Sequence, residues 1–224
     1  MLLTLRLPAT AEAPAPAPPP GPPRSRILAR SRGPVARLAG LFATDSLAGG
    51  FVIQAYVGYR LAARFGATTH TIGITFAVAG ILQTASLLAA PRVADRIGLL
   101  PTMVFTHLPA NVMLAAVPFA PSLTLAIALL LGCACLSSMD VPARQAYVMA
   151  MVPPEERTAA AAITNTARYL TRPLEPALAG VLQSVSPAAP FLLAGVAKIG
   201  YDLALGQTFR HSRPLTDPPP SRAS

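Results

Sequence analysis

Residues Ser122–Met139 read SLTLAIALLLGCACLSSM, a stretch without a charged side chain. Directly after it, Asp140–Tyr147 read DVPARQAY, and Val152–Thr158 read VPPEERT before a further apolar stretch begins. A helix needs roughly 20 residues to cross a bilayer, so the apolar stretches on both sides of this polar segment are long enough to span. The pattern predicts membrane helices joined by a polar connection.

The composition of the whole chain points the same way. Hydrophobic residues make up 53% of the 224 residues, charged residues 12%, and the mean hydropathy is +0.51. A soluble domain carries about 25% charged residues, so this chain has too little polar surface for a soluble particle. The alternative is a soluble helical bundle, which predicts a charged stripe along its helices; these stretches lack one.

Six windows are apolar and long enough to cross a membrane, and breaker or charged residues separate them. They predict an all-α integral membrane fold with six transmembrane helices. The predicted spans are Leu38–Ala63, Ile72–Ala90, Thr102–Phe119, Ser122–Met139, Thr158–Val185 and Ala189–Thr208.

Basic residues are distributed unevenly between the two sides of this topology. Only Arg60 and Arg64 fall on one side, and Arg168, Arg172 and Lys198 fall within spans. The positive-inside rule therefore predicts a multi-pass protein of the plasma (inner) membrane with both termini in the cytoplasm. The residues expected on the cytoplasmic side are Arg6, Arg24, Arg26, Arg30, Arg32, Arg37, Arg92, Arg96, Arg144, Arg157, Arg210, Arg213 and Arg222.

The net charge of +9 would also suit a nucleic-acid-binding protein. The basic residues are divided among four segments and lack interleaved aromatic residues, which favours anchoring to anionic lipid and no nucleic-acid partner. We expect residues 1–37 to form a disordered Pro/Ala/Arg-rich cytoplasmic leader, residues 38–210 the bundle, and residues 211–224 a disordered cytoplasmic tail.

Ionisable residues inside a bilayer are costly and are functional candidates. Asn165, Arg168, Arg172 and Glu175 are spaced to share one helix face. They indicate either a substrate pathway or an Arg172–Glu175 pair that holds helices in register. Asp45 is either an interfacial residue or a titrating carboxylate in the pathway.

Other polar residues in the spans are predicted to form an ion pair or hydrogen bonds. Lys198 and Asp202 are one turn apart, which predicts an ion pair within the last helix. Gln54, Gln83, His107 and Asn111 are single polar positions and predict hydrogen bonds between helices.

No catalytic constellation, metal-ligand spacing or phosphate-binding loop stands out in the sequence. We therefore expect no enzyme activity, no metal and no cofactor, although a membrane-embedded enzyme remains an alternative.

The segment Pro91–Gly98, PRVADRIG, resembles the cytoplasmic loop signature of the major facilitator superfamily. Asp95, Arg96 and Gly98 match the signature, Pro91 replaces its first glycine, and leucines replace the basic pair that follows. The PARQ and VPPEER stretches, and KIGYD at Lys198–Asp202, are similar to the second half of bacterial members in the multidrug-exporter-like branch.

This resemblance implies one six-helix half of a twelve-helix transporter, with Asp95 and Arg96 latching the cytoplasmic side. It implies alternating access for a small-molecule substrate, with proton-coupled efflux. The half would act as a homodimer or with a separately encoded first half. The alternative is a truncated, non-transporting membrane protein or an interaction subunit.

Overall fold

The computed structural model describes Leu28 and residues 30–209, and residues 30–209 form nine α-helices. Three short 3₁₀ turns connect some of them, at Val117–Phe119, Pro154–Glu156 and Arg172–Leu174. The helices are α1 (Arg32–Gly49), α2 (Gln54–Phe65), α3 (Thr69–Ile97), α4 (Leu99–Ala116), α5 (Leu123–Ser137), α6 (Asp140–Met151), α7 (Arg157–Thr171), α8 (Glu175–Val185) and α9 (Ala189–Phe209).

Five helical segments of the described chain are long and apolar enough to cross a membrane. They are Arg32–Phe65, Thr69–Ile97, Leu99–Phe119, Leu123–Met151 and Ala189–Phe209. The window predicted at Thr158–Val185 is helical but is not among them. It carries Arg168, Arg172 and Glu175, and Pro173 lies in the 3₁₀ turn between α7 and α8, while Pro176 lies in the first turn of α8.

The first predicted span is two helices rather than one. α1 ends at Gly49 and α2 begins at Gln54. A side chain at Gly50 would overlap that of Glu175, and one at Gly49 would touch Lys198. The two glycines thus lie where the break meets the charged side chains of Glu175 on α8 and Lys198 on α9.

The polar segment Asp140–Tyr147 is not a connection between spans, as the sequence suggested, but the first two turns of helix α6. Pro142 lies in the first turn, where a missing N–H costs nothing. Arg144 is only 5% exposed and lies inside the bundle. It must be removed from the set of cytoplasmic basic residues.

The predicted leader boundary at residue 37 is also too late. α1 begins at Arg32, Leu28 and Val35 are buried, and the Arg30 N–H donates to Glu156 Oε1 at 2.9 Å. Residues 30–37 therefore belong to the folded bundle. The predictions for residues 1–27 and 210–224 lie outside the described residues.

Two apolar clusters lie towards opposite ends of the helices. The first includes Phe42, Met103, Tyr147 and Leu205, and the second includes Tyr56, Leu61, Val117, Ala126 and Phe191. Along α1–α2, α4, α5–α6 and α9, buried charged or polar residues occur between the two sets. The fold thus encloses a polar layer between two apolar ones.

The outside of the bundle suits lipid. Ile81, Leu88, Phe105, Leu170 and Val185 are each more than two-thirds exposed. Lipid solvates such side chains, whereas water would favour covering a surface this apolar.

Candidate functional site

Seven buried or nearly buried residues from four segments form a central polar cluster. Its members are Asp45 of α1, His107 and Asn111 of α4, Asp140 and Arg144 of α6, and Lys198 and Asp202 of α9. Six of them are at most 5% exposed, and the Lys198 side chain is 13% exposed. Charges enclosed in this way require partners.

Asp45 is the centre of an alternating chain of charges. Lys198 Nζ donates to its Oδ1 at 2.7 Å, and Arg144 Nη1 donates to its Oδ2 at 3.1 Å. The other terminal nitrogen of Arg144 donates to Asp140 one turn earlier on α6. Two carboxylates thus neutralise two cations and tie α1, α6 and α9 together.

Asp202 is fully buried and has only uncharged or titratable partners among the described residues. Asn111 Nδ2 donates to its Oδ2 at 2.9 Å, and His107 Nδ1 lies 2.8 Å from its Oδ1. That short contact joins an imidazole nitrogen to a carboxylate oxygen, so a proton must lie between them. His107 Nε2 lies 3.8 Å from Asp45 Oδ1 on its other side.

The predicted ion pair between Lys198 and Asp202 is wrong. Lys198 reaches across to Asp45 on α1, and Asp202 reaches His107 and Asn111 on α4. A pair one turn apart on a helix surface gains only a few tenths of a kcal/mol, whereas a site between helices surrounds each charge with hydrogen-bond partners. The predicted interhelical hydrogen bonds of His107 and Asn111 are present.

Close packing of α4 against α9 brings these residues together. A side chain at Gly195 would come within 2.6 Å of Ala115 Cβ and 3.2 Å of the Asn111 carbonyl oxygen. Glycine at this position therefore allows the approach that lets Asp202 reach both α4 side chains.

The predicted pathway residues of α7 and α8 lie beside this cluster, around two cavities. Asp45, Arg168, Arg172, Glu175 and Lys198 line one of about 330 Å³, which we term the α1–α7 cavity. Asn165 and Arg168 line a second of about 270 Å³, the α6–α7 cavity, together with Arg144 and Gln145. Arg168 borders both cavities.

Arg172 and Glu175 do not form an ion pair within 4 Å in the described structure. The Arg172 guanidinium lies 4.5 Å from the centre of the Tyr169 ring instead. Arg168 likewise has no acidic partner within 4 Å among the described residues, and its Nε is buried without a hydrogen-bond partner. The α7–α8 charges therefore remain available to another molecule.

The loop-signature residues are separate from the cluster. Asp95 and Arg96 are exposed at the end of α3, and Gly98, with φ of 92°, connects α3 to α4. Gln54 and Gln83 line a further cavity, and their side chains make no hydrogen bond with described residues.

Asp140 and Arg144 are the functional candidates that the sequence interpretation missed. Both were read as part of a polar connection, yet their spacing of four residues is that of a helical pair. That spacing, following an uncharged helix, was the available signal.

One group of side chains in the described residues could hold a metal ion. Asp45, His107 and Asp140 each offer one atom, and these atoms lie within 4.8 Å of one another. Arg144 and Lys198 already contact these carboxylates, so a metal ion would have to displace them. The chemistry of this donor set favours an ion-pair network.

No curated protein and no solved structure matches the chain. A family model described as Major Facilitator Superfamily matches residues 38–223, which include most of the spanning helices and all of the central polar cluster. This family consists of membrane transporters rather than enzymes. The chain is thus a multi-pass membrane protein, and it belongs to the Major Facilitator Superfamily.

Proposed function

We propose that the chain is a half-transporter that moves small molecules by alternating access, coupled to protons. The observation that carries this proposal is the juxtaposition of the buried His107–Asp202 pair with a charged cavity lined by Asp45, Lys198 and Arg168. Asp45 links the two, because it lines the cavity and its Oδ1 lies 3.8 Å from His107 Nε2. The direction, efflux, rests on the resemblance of the motifs to multidrug exporters.

The half-transporter proposal rests on the unpartnered side of the bundle. Arg168, Arg172 and Glu175 border a cavity at the α7–α8 edge, and lipid cannot solvate charges there. A second half would enclose this side and complete a two-sided pathway of the kind that transporter repeats form. The partner is a second copy of this chain or a separately encoded first half.

We further propose a plasma (inner) membrane location with six crossings and both termini in the cytoplasm. The sixth crossing is α7 with α8, whose charged face would be covered by the partner. Without Arg144, the basic residues still lie mostly on the proposed cytoplasmic side. Asp95 and Arg96, exposed at the α3–α4 connection, would contact the second half.

His107 supplies a route from proton binding to the cavity. Asp202 is buried without a Lys or Arg at contact distance among the described residues, so a proton shared with His107 offsets its charge. A second proton on His107 would reside at Nε2, which faces Asp45. It would then compete with Lys198 for that carboxylate, and Lys198 lines the α1–α7 cavity.

The test uses the full chain in proteoliposomes that contain an internal pH dye and are exposed to a panel of anionic, neutral and cationic solutes. We expect solute-induced proton movement that His107→Gln and Asp202→Asn abolish. His70→Gln is the matched control, because His70 is exposed at the start of α3. Retained proton movement in His107→Gln would contradict the assigned proton site.

Assembly is tested separately by crosslinking at a cysteine introduced at Asn165, with Cys133 and Cys135 replaced. We expect a crosslinked dimer, or a crosslink to a first-half protein. A monomer that moves no protons with any solute would favour the alternative function, a truncated, non-transporting protein or interaction subunit.

A further inference from the structure

We propose that the α6–α7 cavity binds a small organic anion with an apolar body. The inference rests on the proposed transport function and deepens it by naming the class of substrate. It is carried by two guanidinium groups that face one cavity without a carboxylate in its lining.

One of the two cations that line the α6–α7 cavity has no ion-pair partner among the described residues. Asp45 and Asp140 neutralise Arg144 and Lys198 through contacts within hydrogen-bond distance. Asp202 makes its contacts with His107 and Asn111 and does not line this cavity. Arg168 therefore contributes a positive charge with no acidic partner within 4 Å among the described residues, and an anion would balance it.

Unused hydrogen-bond donors point to the same chemistry. The Nε atoms of Arg144 and Arg168 are both buried without a hydrogen-bond partner, and Arg144 is only 5% exposed. A buried donor without an acceptor costs free energy. Carboxylate, sulfonate and phosphate groups supply several acceptor oxygens, and the guanidinium fork matches them in two-point contacts.

The remaining lining sets the shape and polarity of the ligand. Gln145 and Asn165 add side-chain amides, while Phe42, Val148 and Met149 add apolar surface. The Phe42 ring lies 5.1 Å from the Arg144 guanidinium carbon and holds that group in place. A volume of about 270 Å³ is just below the usual range for drug-sized ligands, so the ligand is small.

The neighbouring α1–α7 cavity is a weaker candidate for an anion. Asp45 and Glu175 line it together with Arg168, Arg172 and Lys198, so its charge is mixed. Arg168 borders both cavities and would draw an anion from the open edge towards the carboxylate-free one.

The test measures binding to the purified full chain in a non-ionic detergent by titration calorimetry and saturation-transfer NMR. The probes are benzoate and benzenesulfonate, compared with neutral benzamide and cationic phenyltrimethylammonium. We expect at least one anion to bind at least tenfold more tightly than benzamide, and the cation to bind no better than benzamide.

Arg168→Gln should weaken binding of that anion about tenfold, and Arg168→Lys should give an intermediate loss, because lysine keeps the charge but not the fork. Arg168 is substituted because it has no ion pair to disrupt in the described structure, whereas Arg144 forms ion pairs with Asp45 and Asp140. Arg92→Gln, at an exposed position on α3, is the matched control and should leave binding unchanged.

Equal affinities for the anions and benzamide, or equal losses in Arg168→Gln and Arg92→Gln, would overturn the proposal. Competition of phosphatidylglycerol with the bound anion would also overturn it, because the site would then belong to a lipid headgroup. Binding is measured without a gradient, so its outcome is independent of transport. Anion binding without transport would defeat the proposed function alone, and proton-coupled transport without anion binding would defeat this inference alone.

Discussion

The central polar cluster and the α7–α8 edge both place charges inside a membrane bundle, but they differ in pairing. Asp45, Asp140, Arg144 and Lys198 each contact an opposite charge on the described chain. Arg168 and Arg172 line the neighbouring α1–α7 cavity and contact no opposite charge within 4 Å among the described residues. Charges surrounded by helices are satisfied by the fold itself, whereas charges at the edge are left for water, a ligand or a partner.

The largest loss of stability is expected when the carboxylate at the centre of the cluster is removed. Asp45→Asn removes the carboxylate partner of Lys198 and one of the two carboxylate partners of Arg144. We therefore expect a loss of about 3–5 kcal/mol in the free energy of unfolding. The measurement is denaturation in mixed micelles. Glu175→Gln, at the edge, is the control and should cost less than about 1 kcal/mol. Similar losses for the two variants would mean that enclosure does not distinguish the two regions.

A double-mutant cycle then identifies the partner of Lys198. We expect a coupling energy of about 0.5–3 kcal/mol between Lys198→Ala and Asp45→Asn, because the two side chains are in contact. The cycle of Lys198→Ala with Asp202→Asn should give a smaller coupling, since the partners of Asp202 are His107 and Asn111. A larger coupling energy for Lys198 with Asp202 than for Lys198 with Asp45 would instead support an ion pair within α9.

At the edge, Arg168→Gln should change the free energy of unfolding by no more than about 0.5 kcal/mol, because it breaks no ion pair of the described chain. Arg144→Gln, the same change inside the cluster, strands Asp140 and should cost several-fold more. Thermal unfolding of both purified variants provides the measurement. A severe loss in Arg168→Gln would show that Arg168 has a structural partner.

Much of the fold follows from hydropathy alone, because lipid imposes long apolar helices. The sequence therefore predicted helical, membrane-spanning segments. It did not predict the break between α1 and α2, where Gly49 and Gly50 lie beside Lys198 and Glu175 from helices distant in the sequence. Helix α6 was missed because Asp140 and Arg144 are polar in sequence and neutralise each other only when folded.

The candidate site was predictable in its residue types but not in its pairing. Asp45, Lys198 and Asp202 stood out because charges in apolar stretches are rare. Their partners depend on which helices pack together: α4 meets α9 closely at Gly195, and α1 lies against both α7 and α9. Local spacing favoured Lys198 with Asp202, and tertiary packing overrode it.

The smallest expected effect concerns a single contact outside the spans. The Arg30 N–H donates to Glu156 and thereby lowers the pKa of that carboxyl below its ordinary value. Because the folded pKa is the lower one, the contact stabilises the protein fully above the unfolded pKa of about 4.3 and loses its effect as the pH falls below it. The hydrogen-exchange protection factors of the amides in residues 30–37, which are corrected for the pH dependence of intrinsic exchange, should therefore fall below about pH 4.3. Glu156→Gln should remove this pH dependence while leaving α4 and α9 protected. An unchanged acid response in Glu156→Gln would assign the effect to another carboxyl and leave the start of α1 held by the packing of Leu28 and Val35 alone.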